Sequence, residues 1–181
     1  MATGKQVAIG VLALAALTGA VLILTSCAKK TAPKDVFAKA RAYFDESQQV
    51  KLEKLHYLPW DKPYGGTSLD AIVFLSSDWT SRAETGQYGQ IALLIHEYLH
   101  VVTCKPSLMP GAHPYLPIVD EFYTVAEPYA RTILQEELYQ QPLYTSVNYP
   151  MEAFAMIGTI IALKQGSVPA DIRLFYKGFL R

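Results

Sequence analysis

At 181 residues the chain has room for one domain with a core of its own and not for two. Sixteen basic residues balance sixteen acidic ones, which argues against nucleic acid as a partner and against an acidic tail. Hydrophobic residues make up 51%, an excess fed by the first thirty positions, which are set aside before the remainder is judged.

The chain starts "MATGKQVAIGVLALAALTGAVLILTSC": Lys5, an apolar run from Val7 to Leu24, small residues, then Cys27. That order is the order of a targeting segment. Leu24-Thr25-Ser26-Cys27 resembles the bacterial lipobox, and the resemblance implies a signal peptide over 1–26, cleavage before Cys27 and a diacylglycerol on its sulfur. A transmembrane helix is the competing reading. About eighteen apolar residues suffice to span a bilayer, and Lys29, Lys30 and Lys34 outnumber the charge before the run, which would keep the domain cytoplasmic. On the lipid reading, Ala28 stands where an aspartate would favour the inner membrane. The resemblance then implies the cell envelope: the periplasmic face of the outer membrane in a Gram-negative cell, the outer face of the plasma membrane in a Gram-positive one. Residues 27–34 become the lipidated cysteine and a polar tether. With Cys27 so used, Cys104 is the one other cysteine of the chain and no intrachain disulfide forms.

The folded domain is expected over 35–181. In "DVFAKARAYFDES", Asp35 to Ser47, the residues Val36, Phe37, Ala40, Tyr43 and Phe44 fall at helical spacing. "LPWDKPYGGTS", Leu58 to Ser68, is dense in Pro and Gly and reads as a loop. "LDAIVFLSS", Leu69 to Ser77, is β-branched and aromatic and reads as a strand. It is either an edge strand to which an extended peptide could add or a buried central one. After "WTSRAETG" comes a helix ended by Pro106. At about 100° per residue, Ile91, Leu94, Ile95, Tyr98 and Val102 share one stripe, with Leu93, His96, His100 and Cys104 on the other side. A Pro- and Gly-containing loop leads to a helix over about Ile118 to Gln140, with a bend expected at Pro128. "PMEAFAMIGTIIALKQG" starts on Pro150, at home in a first turn, and closes on Gly166. Ser167 is expected to cap a last amphipathic helix, "VPADIRLFYKGFL".

The chemistry concentrates in "LLIHEYLHVV". Two histidines at i and i+4 lie roughly one helical turn apart, so His96 and His100 can reach one tetrahedral ion. Glu97 follows the first of them, where its carboxylate can take a proton from a water held by the metal. In a chain with four histidines the pattern arises by accident with a probability on the order of half a percent. The plain alternative, two core histidines, requires several separate hydrogen-bond partners for the two buried rings.

"LLIHEYLHVV" resembles the active-site helix of the zincin metallopeptidases, which implies His96 and His100 as Zn2+ ligands and Glu97 as general base. The metzincin pattern is absent, since Thr103 and Pro106 stand where it has glycine and histidine. The gluzincin branch takes a glutamate from a later helix, with Glu121, Glu127, Glu136, Glu137 and Glu152 as candidates. Glu152 is favoured because "YPMEAFA" is similar to the start of the ligand helix in small bacterial gluzincin-like families, with Ala155 letting that helix approach closely. A glutamate in a first turn also suits the helix dipole. Glu121 is the second choice: its distance past His100 fits, but Val125 stands where the family has an aspartate.

A group stabilising the oxyanion could be His113, Tyr123, Tyr144 or Tyr149, and the sequence does not choose among them. Cys104 is either a core thiol or a fourth ligand that would close the site to water. His56 reads as structural.

These readings combine into an α+β, zincin-like domain, mostly helical with a small sheet beside the active-site helix. The expected function is zinc-dependent hydrolysis of peptide bonds by a membrane-anchored lipoprotein. Its partners would be a peptide or protein substrate, the membrane through the N-terminal lipid or helix, and an envelope protein completing the cleft. The alternative is a zinc-stabilised zincin-fold lipoprotein serving as a binding or assembly module without catalysis.

Overall fold

In the computed structural model of the chain, the residues described are 34–61, 66–68, 72–105 and 115–181. The signal peptide, Cys27, nearly all of the tether, Leu69 to Ala71, Pro106 and His113 lie outside them.

Helix α1 spans Lys34–Arg41 and buries Val36, Phe37 and Ala40. The single helix expected to Ser47 is broken. Asp45 takes a non-helical conformation, accepts a hydrogen bond from the Ser47 amide at 3.0 Å and starts helix α2, Glu46–Leu52. The break is held from the far end of the chain. The Asp45 amide donates to the Phe179 carbonyl at 2.9 Å and the Arg181 amide to the Tyr43 carbonyl at 3.0 Å. Phe44, fully buried, bridges to Leu180.

Three short strands follow: β1 at His56–Pro59, β2 at Gly66–Ser68 and β3 at Ile72–Leu75. Their order is β1-β3-β2, with β3 parallel to β1 and antiparallel to β2. Of the two readings of Ile72-Val73-Phe74, the central strand holds: both its edges are paired, so no peptide can add to it. Part of the expected loop, Leu58 to Ser68, is strand at its two ends. There the proline closes β1 and the glycine opens β2.

Helix α3, Gln90–Thr103, is the centre of the molecule, with twelve of its fourteen residues buried. Ile91, Leu94, Ile95, Tyr98 and Val102 are at most 5% exposed, as the periodicity predicts. Helix α4 runs Pro117–Ile133 with proline in its first turn, and it passes Pro128 without ending. The interruption comes instead at Leu134, whose φ of −113° leaves the helical range, and Gln135–Tyr139 form a π-helical turn.

Helix α5, Tyr149–Ala162, packs on both α3 and α4. It ends through two left-handed residues, Lys164 at φ 55° and Gly166 at φ 108°. The last amphipathic helix shortens to α6, Ala170–Leu174, preceded by Pro169 rather than capped by Ser167. Beyond it Gly178, at φ 83°, turns the chain back toward Phe44. The architecture is α+β, with the other helices packed about α3 and a small three-stranded sheet beside it. Among the described residues no helix is long and apolar enough to cross a membrane.

Candidate metal centre

The face of α3 opposite its apolar stripe carries His96 and His100. Their rings meet edge to face with centroids 4.6 Å apart, and their Nε2 atoms are separated by 3.0 Å. Two imidazole nitrogens that close cannot both carry protons, so at least one lone pair points into the gap. Helix α5 brings the third group. Glu152 sits in its first turn, and its Oε2 lies 3.3 Å from Nε2 of His96 and 3.5 Å from Nε2 of His100. These are ionic contacts. That oxygen is buried and makes no hydrogen bond.

The close approach of α5 to α3 depends on small residues. Ala155 is 1% exposed, and one turn on, a Cβ at Gly158 would stand 2.6 Å from Leu99 Cδ1 and 2.6 Å from Tyr176 Cε1. Ala155 is legible in the sequence; Gly158 is the position that sequence reasoning missed. The signal was there, since 152, 155 and 158 mark one side of a helix.

The electrostatics follow from the geometry. Burial opposes the charge on Glu152, but the two imidazoles beside it outweigh burial and hold its carboxyl well below the usual carboxylate range. Burial also opposes a charged His100, and the negative charges of Glu152 and Glu97 reverse that, raising its pKa. His96, His100 and Glu152 each offer one ligand atom within 4.8 Å of the other two, and together they could hold a metal ion.

The three groups open on a cavity of about 600 Å³ between α3, α5 and the end of α4. Glu97 lines it and is 4% exposed. Of the tyrosines considered for oxyanion stabilisation, Tyr144 lines this cavity. Burial pushes its phenol up first, and the nearby charges of Glu152 and Glu97 push it further. Tyr123 is instead hydrogen-bonded to the Tyr139 hydroxyl at 3.1 Å, and Tyr149 packs against the Tyr139 ring.

Glu121 is not brought to the histidines. It borders a separate groove with Ile118, Val125, Asp171, Leu174 and Phe175. Glu127 pairs with Arg131 at 2.7 Å. Cys104 ends α3 and lines the cavity, but its sulfur is not in the cluster of converging ligand atoms. His56 is exposed at the start of β1. Among the other cavity residues, Arg82, Met151 and Met156 escaped the sequence reading, and Glu137 entered it only as a candidate third ligand. Met156 lies at i+4 from Glu152 on the same helix, so the helical wheel could have placed it, whereas Met151, at i−1, is not on that face.

No protein-family model, curated protein or solved structure matches this chain.

Proposed function

We propose that this protein is a zinc-dependent peptide hydrolase with a zincin-like domain, anchored to the bacterial envelope through a lipid on Cys27. The observation that carries the reading is the convergence of His96, His100 and Glu152. Three donors bound to one tetrahedral zinc at ordinary lengths are about 3.3–3.4 Å apart. The separations here are 3.0, 3.3 and 3.5 Å. The fit is strengthened by Oε2 of Glu152, a buried acceptor that faces both Nε2 atoms and makes no hydrogen bond.

A zinc ion held there would supply Lewis-acid activation of water and of a scissile carbonyl. The chain's own residues do the rest. Glu97, next to His96 on α3 and lining the cavity, accepts the proton released by the attacking water and passes it to the leaving amine. Tyr144, kept in its neutral phenol form by burial and by the two carboxylates, donates a hydrogen bond to the oxygen on which charge develops. The apolar residues on the cavity walls exclude competing water.

The test is made on the purified full-length protein in detergent. Zinc content is measured, and wild type is compared with Glu97→Gln on a mixed peptide library. One zinc per chain in both, with cleavage by the wild type alone, is expected. Zinc in both and cleavage by neither would leave the binding module as the better reading. The anchor is tested separately: radiolabelled fatty acid should enter the wild type and not Cys27→Ser.

A further inference from the structure

The cavity carries more negative charge than the hydrolytic reading uses. Its walls hold three carboxylates, Glu97, Glu137 and Glu152, against one permanent cation, Arg82. Arg82 is already engaged: its guanidinium bonds both Asp78 carboxylate oxygens at 3.1 and 3.0 Å and the Tyr88 carbonyl at 3.0 Å. Glu152 faces the two histidines and Glu97 serves as the base. Glu137 remains, and among the described residues it forms no ion pair.

Glu137 is firmly placed. It sits in the π-helical turn Gln135–Tyr139, which is pinned by the fully buried Leu138 next to it. Turns of this kind are rare and frequently found at functional sites. The cavity wall it shares carries aliphatic and thioether side chains, Ile133, Leu134, Leu143, Met151, Met156 and Ile160, beside polar ones such as Asn148 and Gln165. A partly buried carboxylate without a partner is unfavourable in such surroundings. A ligand with an apolar stem and a cationic tip would satisfy both parts of the wall at once.

We infer that Glu137 is a specificity residue, receiving the ammonium or guanidinium tip of a lysine or arginine side chain whose stem lies along Leu143, Met151 and Met156. The inference rests on reading this cavity as the cleft that binds peptide. A free N-terminal ammonium shares the charge but lacks the stem, so the walls favour the side chain.

The experiment measures binding rather than turnover, using the full-length, zinc-loaded Glu97→Gln protein so that peptides are not consumed. Acetylated, amidated peptides carry lysine, arginine, norleucine or glutamate at each position in turn, and Kd is read by calorimetry. At one position, lysine and arginine should bind about tenfold more tightly than norleucine. Adding Glu137→Gln should abolish that preference and Glu137→Lys should turn it toward glutamate, with zinc content unchanged.

Equal Kd for lysine and norleucine at every position overturns the inference. So does a preference that survives Glu137→Gln, or failure of every peptide to bind. Wild-type turnover of the same peptides separates the two claims. Selective binding without cleavage sinks the hydrolase and leaves Glu137 in its role; cleavage without selectivity does the reverse.

Discussion

Helix α3 presents two stripes that differ in what completes them. On one, Ile91, Leu94, Ile95, Tyr98 and Val102 are at most 5% exposed and packed against the remainder of the core. The four aliphatic side chains stabilise the fold by burial, each by about 1.5–3 kcal/mol, and Tyr98 adds a hydrogen bond between its hydroxyl and that of Tyr57. On the other, His96 and His100 face Glu152 across 3.3 and 3.5 Å, beside a cavity, with Glu152 Oε2 and His100 Nδ1 buried and lacking hydrogen bonds. The first stripe is finished when the chain has folded, whereas the second has three ligand atoms within 4.8 Å of one another that could hold a metal ion. The same helix therefore carries a self-sufficient face and, on its opposite side, an incomplete one.

The largest expected effect falls on chemistry alone. Glu97→Gln should lower kcat/KM on a cleaved peptide by roughly 10²- to 10⁴-fold, with zinc stoichiometry unchanged. Loss of zinc along with activity would mean that Glu97 belongs to the metal's support and not to its reaction.

The apolar stripe should respond in the opposite way. Ile95→Ala is expected to cost the metal-free protein about 2–5 kcal/mol in urea unfolding, while each molecule that stays folded still takes up one zinc. A small cost would show that this stripe is less tightly packed than its burial implies.

Gly158 joins the two sides, because α5 carries Glu152 and meets α3 there. Gly158→Ala places a methyl 2.6 Å from Leu99 and Tyr176 atoms. The overpacking should cost about 1–3 kcal/mol, and zinc affinity should fall with it as Glu152 is pushed away. Full affinity in the destabilised variant would uncouple the site from the helix packing.

The smallest change in stability is expected at the site itself. Glu152→Met should abolish zinc binding yet leave the metal-free protein within about 1 kcal/mol of wild type, or slightly above it. It replaces a buried charge by an apolar side chain of similar size. Adding zinc should raise the Tm of the wild type and not of this variant.

What the sequence disclosed divides along the same line. The pairing of His96 with His100 and the stripe opposite them are set by helical spacing, a local property, and both are found where the periodicity puts them. Glu152 was favoured over Glu121 through the short run "YPMEAFA", and it is the one brought to the histidines. The other features depend on distant residues. The break between α1 and α2 is held by backbone bonds to Phe179 and Arg181 at the other end of the chain, which no local pattern announces. The helix read from Ile118 to Gln140 continues through Pro128 to Ile133 and gives way at Leu134, whose φ of −113° leaves the helical range. Tyr144 could not be told from Tyr123 and Tyr149 by sequence, since what separates them is which ring faces the cavity.

The most direct test of the account is X-ray absorption at the zinc edge on the zinc-loaded wild-type protein. It should show two imidazole nitrogens and a carboxylate oxygen in a four-coordinate shell at about 2.0–2.2 Å, and Glu152→Met should hold no zinc. A protein that retains no zinc, or a shell that includes the Cys104 sulfur and persists unchanged in Glu152→Met, would contradict it.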